Sequence, residues 1–445
     1  DFCLSRGLGD VYKRQDAHGA TIHLGERECS IQRRHQKIVE EAPSVALSPE
    51  LRAEMGAAAV RAAQSVGYVN AGTCEFMLDA EGHYYFLEMN ARLQVEHPVT
   101  ELVYGIDLVR WQLRIADGEH LTIAQDDVRP RGWAIEGRIY AEDPANHMLP
   151  STGTITHWSP PEGPGIRLDA GVTSGSEVSL YYDPMLAKLI VYGSDRMHAI
   201  ARLEHALESF AVDGVRTNLP LLLWIARDEA FRNGETTTSF LAQRLDESAL
   251  APQAAPREAA LLCAAALLAD GKAPWRIAGS GIPLRLSQNA RETYLIADAT
   301  EGGDTWTLSG DVTGRLQVMR NGDGVRCVFS DERFGGSVTY DERAIVVHFN
   351  GQTYSFAPAN PPAIEAAGAA HAGVGDGRVT APMPGKIVKV AVREGENVGE
   401  RALLIVLEAM KMEHRIEAST AAEVKAVLVK EGQIVSSGAP LVELA

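Results

Sequence analysis

Apolar residues recur at helical spacing over 49–66, PELRAEMGAAAVRAAQSV, directly after Ser48, whose hydroxyl suits a helix N-cap. The same spacing returns over 195–210, DRMHAIARLEHALESF. Strand patterns stand at 72–78, 83–90, 132–141 and 186–193. Together they predict that residues 16–247 form an α+β or α/β unit around one large core. Residues 256–269 read as a single apolar helix. From 284 to 357 the pattern turns to strands, with turns at NGDG (321–324) and NGQ (350–352). Residues 358–378 are rich in Pro, Ala and Gly and hold no aromatic side chain, which predicts a mobile linker. The remainder, 379–445, predicts a compact all-β unit.

That last unit repeats itself. VAVREGENVGERALLIVLE (390–408) aligns with VLVKEGQIVSSGAPLVEL (427–444) at an offset of 37 residues, with Val390 and Val427, Gly395 and Gly432, and Leu404 and Leu441 among the identities. Two strand–turn–strand copies, each with a buried alternating face, can sandwich together with quasi-twofold symmetry. EAMKMEH (408–414) falls between the copies, at a hairpin tip, so Lys411 is expected to project into solvent. An isolated surface lysine is most often simply solvated. The repeat around this one, with Met410 and Met412 beside it, favours a functional reading. One departure from the symmetry stands out: Arg401 occupies the position of Gly438 in the second copy.

Charge and composition narrow the classes. A formal charge of −17 argues against a nucleic-acid or anionic-membrane surface, since either requires basic patches. No apolar run approaches the roughly 18 residues of a membrane span. Five cysteines, Cys3, Cys29, Cys74, Cys263 and Cys327, lie far apart with no CxxC pair. That suits a reducing compartment and argues against zinc or a disulfide framework. The expectation is an intracellular soluble enzyme, or part of one, with no nucleic-acid or membrane partner. Residues 1–15, DFCLSRGLGDVYKRQ, show neither a signal-peptide core nor transit-peptide periodicity and join abruptly to Asp16. They are expected to be a non-native leader, with the native chain starting further upstream.

Candidate chemistry concentrates in GTCEFMLDAEGHYYFLEMNARLQVEHPVTE (72–101). A hairpin turning at 79–82 sets Glu75 and Glu88 at or near facing positions. Facing carboxylates repel unless a cation sits between them. With Asn90 beside them they make an oxygen donor set suited to Mg2+ (or Mn2+) carrying nucleotide phosphates. Two exposed acids on an edge hairpin are the plain alternative. Arg92, Gln94 and Glu96 alternate, which would put three polar groups on one face of a strand that His97-Pro98 ends. Such a row can hold an anion and supply a base.

These motifs carry two resemblances. APMPGKIV (381–388) with EAMKMEH resembles the biotinyl domain of biotin-dependent carboxylases, over residues 379–445. The resemblance implies covalent biotin on Lys411, framed by Met410 and Met412 for a biotin protein ligase; a lipoyl domain is the rival in the same fold. GERECSIQRRHQKIVEEAP (25–43), EMNARLQVEHPVTE (88–101), EGRIYAEDP (136–144) and YYDPMLAKLIVYG (181–193) resemble the biotin carboxylase domain of the ATP-grasp superfamily, over residues 16–245. That resemblance implies Glu75, Glu88 and Asn90 as ligands of Mg-ATP, with Gln32, His35 and Lys37 on the nucleotide and bicarbonate side. Arg92, Gln94 and Val95 would position bicarbonate, Glu96 would be the general base, and Arg138 would stabilise charge developing on biotin. Bicarbonate would attack the γ-phosphate of ATP, and biotin would trap the released CO2. Phosphoryl transfer of this kind needs mainly positioning and charge neutralisation.

The expected architecture is α+β and multidomain. It comprises the C-terminal part of an ATP-grasp biotin carboxylase (16–247), a helix-plus-β-barrel docking domain (250–357), a linker, and an all-β barrel-sandwich biotinyl domain (379–445). The resemblance implies the biotin-containing α subunit of an acyl-CoA carboxylase, a hetero-oligomer whose carboxyltransferase β subunit handles the acyl-CoA. The run MKMEH is most similar to 3-methylcrotonyl-CoA carboxylases of leucine degradation, with propionyl-, acetyl- and geranyl-CoA enzymes as alternatives. Localisation would be cytoplasmic in a bacterium or the mitochondrial matrix in a eukaryote. The family's N-terminal nucleotide subdomain and lid have no counterpart upstream of Asp16. This chain alone is therefore expected to show little ATP-dependent carboxylation and to act as a carrier module. An exposed apolar face on the 256–269 helix would favour docking over an inert spacer.

Overall fold

The computed structural model describes residues 7–15 (backbone), 19–33, 36–250, 254–273, 281–289, 291–300, 304–341, 344–358, 378–409, 412–436 and 438–444. Most of the predicted linker therefore lies outside the described residues.

Eight antiparallel strands form the first sheet. Their spatial order is Ile166–Ala170, Met185–Gly193, Trp133–Tyr140, Gln36–Ala42, Thr21–Arg33, Gly7–Gln15, Asn70–Leu78 and Tyr84–Asn90. Gly7–Gln15 pairs with Thr21–Arg33 on one side and with Asn70–Leu78 on the other. The boundary expected at Asp16, with residues 1–15 outside the domain, thus differs from the structure. Backbone groups explain the difference: an extended segment can complete two hydrogen-bonded ladders whatever its side chains.

Two helices cover this sheet where the periodicity places them. Pro49–Ser65 begins at Ser48, whose Oγ accepts from the Leu51 amide at 3.2 Å. Pro49 sits in the first turn, where its missing N–H costs no hydrogen bond. Met55 and Ala59 of this helix bury against Cys74, Phe76 and Leu78. Arg196–Ser209 begins at Asp195, whose carboxylate accepts from the His198 amide at 2.9 Å. Its Ile200, Leu203 and Leu207 join Leu189 and Val191 in the main core.

The second unit is a closed barrel of eight antiparallel strands, from Ile282–Gln288 to Gln352–Pro358, around the helix Arg257–Ala269. Leu261, Leu262, Cys263 and Ala264 are all fully buried. A helix enclosed on every side has no face left to be polar, which accounts for its composition. Gly336 permits the close fit, because a Cβ there would stand 3.0 Å from Leu262 Cδ1 and 2.3 Å from the His348 carbonyl oxygen. The barrel wall covers this helix, so the exposed apolar face that would favour docking is not found on it.

The third unit is a sandwich of two four-stranded sheets. Each sheet takes strands from both sequence copies. Gly385–Val390 pairs with Ile434–Val435, and its counterpart Ala422–Val427 pairs with Asn397–Val398. The turn glycines match as well, with φ of 82° at Gly395 and 85° at Gly432. Arg401 adopts φ 64°, close to the 78° of Gly438. A side chain there pays a left-handed penalty that glycine avoids.

Candidate active site

The hairpin of Asn70–Leu78 and Tyr84–Asn90 stands at one edge of the large sheet, and its register sets Glu75 opposite Glu88. Asn90 bridges them: its Nδ2 donates to Glu75 Oε1 at 2.9 Å and to Glu88 Oε1 at 3.0 Å. Glu75 is half-buried and Glu88 exposed, so the donor set opens from the sheet toward solvent. Two carboxylates and an amide suit a hard divalent cation that keeps part of its water shell.

A continuous polar row leads inward from Glu75. Gln94 Nε2 donates to Glu75 Oε1 at 2.8 Å, and the buried Arg27 donates to Gln94 Oε1 at 2.5 Å. Lys37 Nζ lies 3.6 Å from Glu75 Oε1 and 2.9 Å from Glu96 Oε1. On its other oxygen, Glu96 accepts from Arg138 Nη2 at 2.9 Å, and Arg138 also pairs with Glu40. Glu96 is 2% exposed and Glu40 wholly buried, so these charges act in low dielectric, where Coulomb interactions are strong. Burial pulls the Arg138 guanidinium down, but Glu40 and Glu96 outweigh it and hold the group firmly charged. Burial pushes the neighbouring Tyr140 hydroxyl up to about 12.

The predicted strand over Arg92, Gln94 and Glu96 is corrected. That stretch is a turn, and His97–Tyr104 is a helix with Glu96 at its N-cap position. Proline's fixed φ suits the first turn of a helix, so His97-Pro98 starts a helix instead of ending a strand. The turn sends Gln94 and Glu96 inward and leaves Arg92 exposed, where Nη1 donates to the Leu93 carbonyl at 3.3 Å. The three side chains therefore do not share a face. Val95 is half-buried, and its carbonyl accepts from Lys188 Nζ at 2.9 Å. Gln32 stands opposite Lys37 in the strand register. His35 lies outside the described residues.

Sequence reasoning missed Lys188, Arg27, Glu40 and Glu136. Lys188 also lies 3.2 Å from Asp169, which anchors it beneath the turn. The available signal was charge inside apolar strands: Glu136 and Arg138 alternate within WAIEGRIY, so they share one face of a buried strand.

In the sandwich, Leu403–Ala409 and Met412–Glu417 pair with Ala409 opposite Met412, leaving a two-residue link between them. Met410 and Lys411 lie outside the described residues, and Met412 is described only as backbone.

Three family models match the chain. They are "Carbamoyl-phosphate synthase L chain, ATP binding domain" over residues 13–124, "Biotin carboxylase C-terminal domain" over 136–243 and "Biotin-requiring enzyme" over 377–444. The α subunit of mitochondrial methylcrotonoyl-CoA carboxylase from Rattus norvegicus is 37% identical across 96% of this chain and 63% of its own length. The mitochondrial propionyl-CoA carboxylase α chain from Sus scrofa is also 37% identical, across 96% of this chain and 62% of its own. The chain thus spans less than two thirds of these relatives. Among solved structures, the biotin carboxylase domain of Hydrogenobacter thermophilus 2-oxoglutarate carboxylase, in complex with MgADP, ADP and bicarbonate, superposes with a TM-score of 0.54 at 46% identity. The match covers 56% of this chain and 54% of that one.

Proposed function

The chain carries the biotin carboxylase and biotinyl domains of the biotin-dependent carboxylases, and on that premise we propose that it serves as the biotin-containing subunit of an acyl-CoA carboxylase. ATP and bicarbonate would be its substrates, biotin on Lys411 its prosthetic group and Mg2+ its cation. One observation carries the reading: the Lys37–Glu96–Arg138 chain stands directly behind the Glu75, Glu88 and Asn90 donor set, in a polypeptide that also holds the biotinyl sandwich.

Glu75, Glu88 and Asn90 would hold Mg2+, which supplies charge neutralisation to the phosphates. Lys37, which lies between Glu75 and Glu96, would hold an anion between the metal side and the base side. Glu96 would accept the proton of bicarbonate, and its two oxygens are already aimed by Lys37 and Arg138. Arg138, kept charged by its acidic neighbours, would face negative charge arising on the acceptor. Gln94, locked by Arg27, fixes the turn that carries Glu96. Arg92, exposed on the turn, would reach bicarbonate by swinging inward. Biotin would supply the nitrogen that accepts the carboxyl group, with Lys411 as its tether.

The carboxyl group would then pass to a carboxyltransferase partner, and a biotin protein ligase would load Lys411. For the acyl-CoA we propose 3-methylcrotonyl-CoA, on the resemblance of MKMEH. The methylcrotonoyl- and propionyl-CoA relatives match equally, so substrate identity rests on that motif. The cytoplasm of a bacterium or the mitochondrial matrix of a eukaryote would house it. The test is avidin capture of the enzyme from its source, followed by bicarbonate fixation onto a panel of acyl-CoAs. Fixation onto 3-methylcrotonyl-CoA supports the reading; fixation only onto propionyl-CoA replaces the substrate, and none onto any acyl-CoA overturns the function.

A further inference from the structure

Two buried acids beside the site have no part in the chemistry above. Glu40 and Glu136 are registered partners across the strands Gln36–Ala42 and Trp133–Tyr140, and both are wholly buried. Like charges directly opposite each other repel, and desolvation raises the cost of holding both ionised. The oxygens of both acids lack a hydrogen-bond partner of good geometry, and what distinguishes Glu40 is its ion-pair contact with Arg138.

The surrounding charges decide how many protons this pair holds. Lys37, Arg138 and Tyr140 face the two acids from the acids' own two strands, Lys188 from the strand Met185–Gly193 and Glu96 from the turn before the helix His97–Tyr104. Lys37 and Arg138 supply two positive charges, matched by Glu96 and Glu40. Lys188 is matched by Asp169. An ionised Glu136 would have no cation left for it in a dry interior.

We propose that Glu40 and Glu136 share one proton, with Glu136 neutral and Glu40 ionised against Arg138, and that Glu40 is a positioning residue for the base Glu96. By taking part of the Arg138 charge, Glu40 prevents Arg138 from stabilising the Glu96 carboxylate fully, so Glu96 stays basic. The proton that bicarbonate loses goes to Glu96; the shared proton stays in place and is not consumed. Burial pushes both acids above the ordinary carboxylate range, with Glu40 adding to the shift of Glu136. The positioning role rests on the function proposed above, whereas the shared proton does not.

The test has two arms. Infrared difference spectra of the whole chain near neutral pH, parent minus E136Q, should show the C=O band of a dry protonated carboxyl, lost in the variant. Absence of that band means that Glu136 is not the protonated acid and overturns the proposal, whether or not the protein turns over. The second arm is the pH profile of bicarbonate-dependent ATP cleavage by the complete holoenzyme. E40Q should lower kcat roughly tenfold and move the acid limb to lower pH, with partial rescue in E40D. An E40Q enzyme with the parental limb and rate overturns positioning. An inactive parent enzyme condemns the function proposed above instead, and the infrared result stands apart from it.

Discussion

In the eight-stranded sheet the charges are inside, and in the C-terminal sandwich they are outside. The sheet buries Arg27, Glu28, Glu40, Glu41, Glu136 and Arg138, each tied into an ion pair, a hydrogen bond or a facing acid. The sandwich core is built from Ile387, Leu404, Leu407, Val424, Leu441 and similar residues. Buried charges in the sheet are held at fixed distances, as the proposed proton and phosphoryl transfer would require. The proposed role asks for no such interior in the sandwich, because the biotin would be carried by Lys411, which lies in sequence between the paired strands Leu403–Ala409 and Met412–Glu417. Substitutions at polar positions should therefore cost much in the first region and little in the second.

The largest effect is expected at Arg138. Arg138→Ala leaves Glu40 and Glu96 without their shared cation, and urea unfolding should show a loss of about 3–5 kcal/mol in the carboxylase unit. A loss below about 1 kcal/mol would erase the contrast between the regions.

Glu28 comes next. Burial raises its carboxyl from the usual 4.5 to about 7, against hydrogen bonds from Ser30 and Ser44 that lower it. A raised acid stabilises the fold fully below its unfolded value and loses that contribution as pH climbs through about 7. Glu28→Gln has no such dependence. Between pH 4.5 and 8 its stability should therefore gain on the parent by up to about 3 kcal/mol, read from melts at each pH. A constant gap across that window would show that Glu28 titrates normally.

Smaller effects belong to the sandwich. Arg401→Gly relieves a left-handed side chain and should stabilise its unfolding transition by about 0.5–1 kcal/mol in calorimetry. A destabilisation would mean that the arginine holds the turn. Lys411→Arg should leave that transition within about 0.5 kcal/mol while abolishing avidin binding, which separates handle from function. A marked stability loss would give the lysine a structural role.

Much of this contrast was legible in the sequence, for physical reasons that differ by region. The 37-residue repeat imposes a symmetric sandwich because identical apolar positions recur on both halves. The turn over 79–82 brings Glu75 and Glu88 to or near facing positions, but their direct pairing also needs the register shift between Glu75 and Phe76, which the spacing does not show. The turn over Arg92–Glu96 was not legible, because alternation over five residues fits a strand or a turn equally well, and Pro98 decides between them only through the helix that follows. Helix 256–269 showed its apolar character but not its enclosure, since a buried helix and a docking helix share one composition. Glu40 and Glu136 escaped notice because their partner Arg138 is remote in sequence from Glu40 and only the sheet brings them together.

Lys411 carries the central claim, and mass spectrometry of the peptide that contains it is the most direct measurement. The chain would be incubated with a biotin protein ligase, biotin and ATP, then digested and mapped. The account predicts a single biotin on Lys411, absent from Lys411→Arg. An unmodified Lys411, or biotin on another lysine, would contradict it.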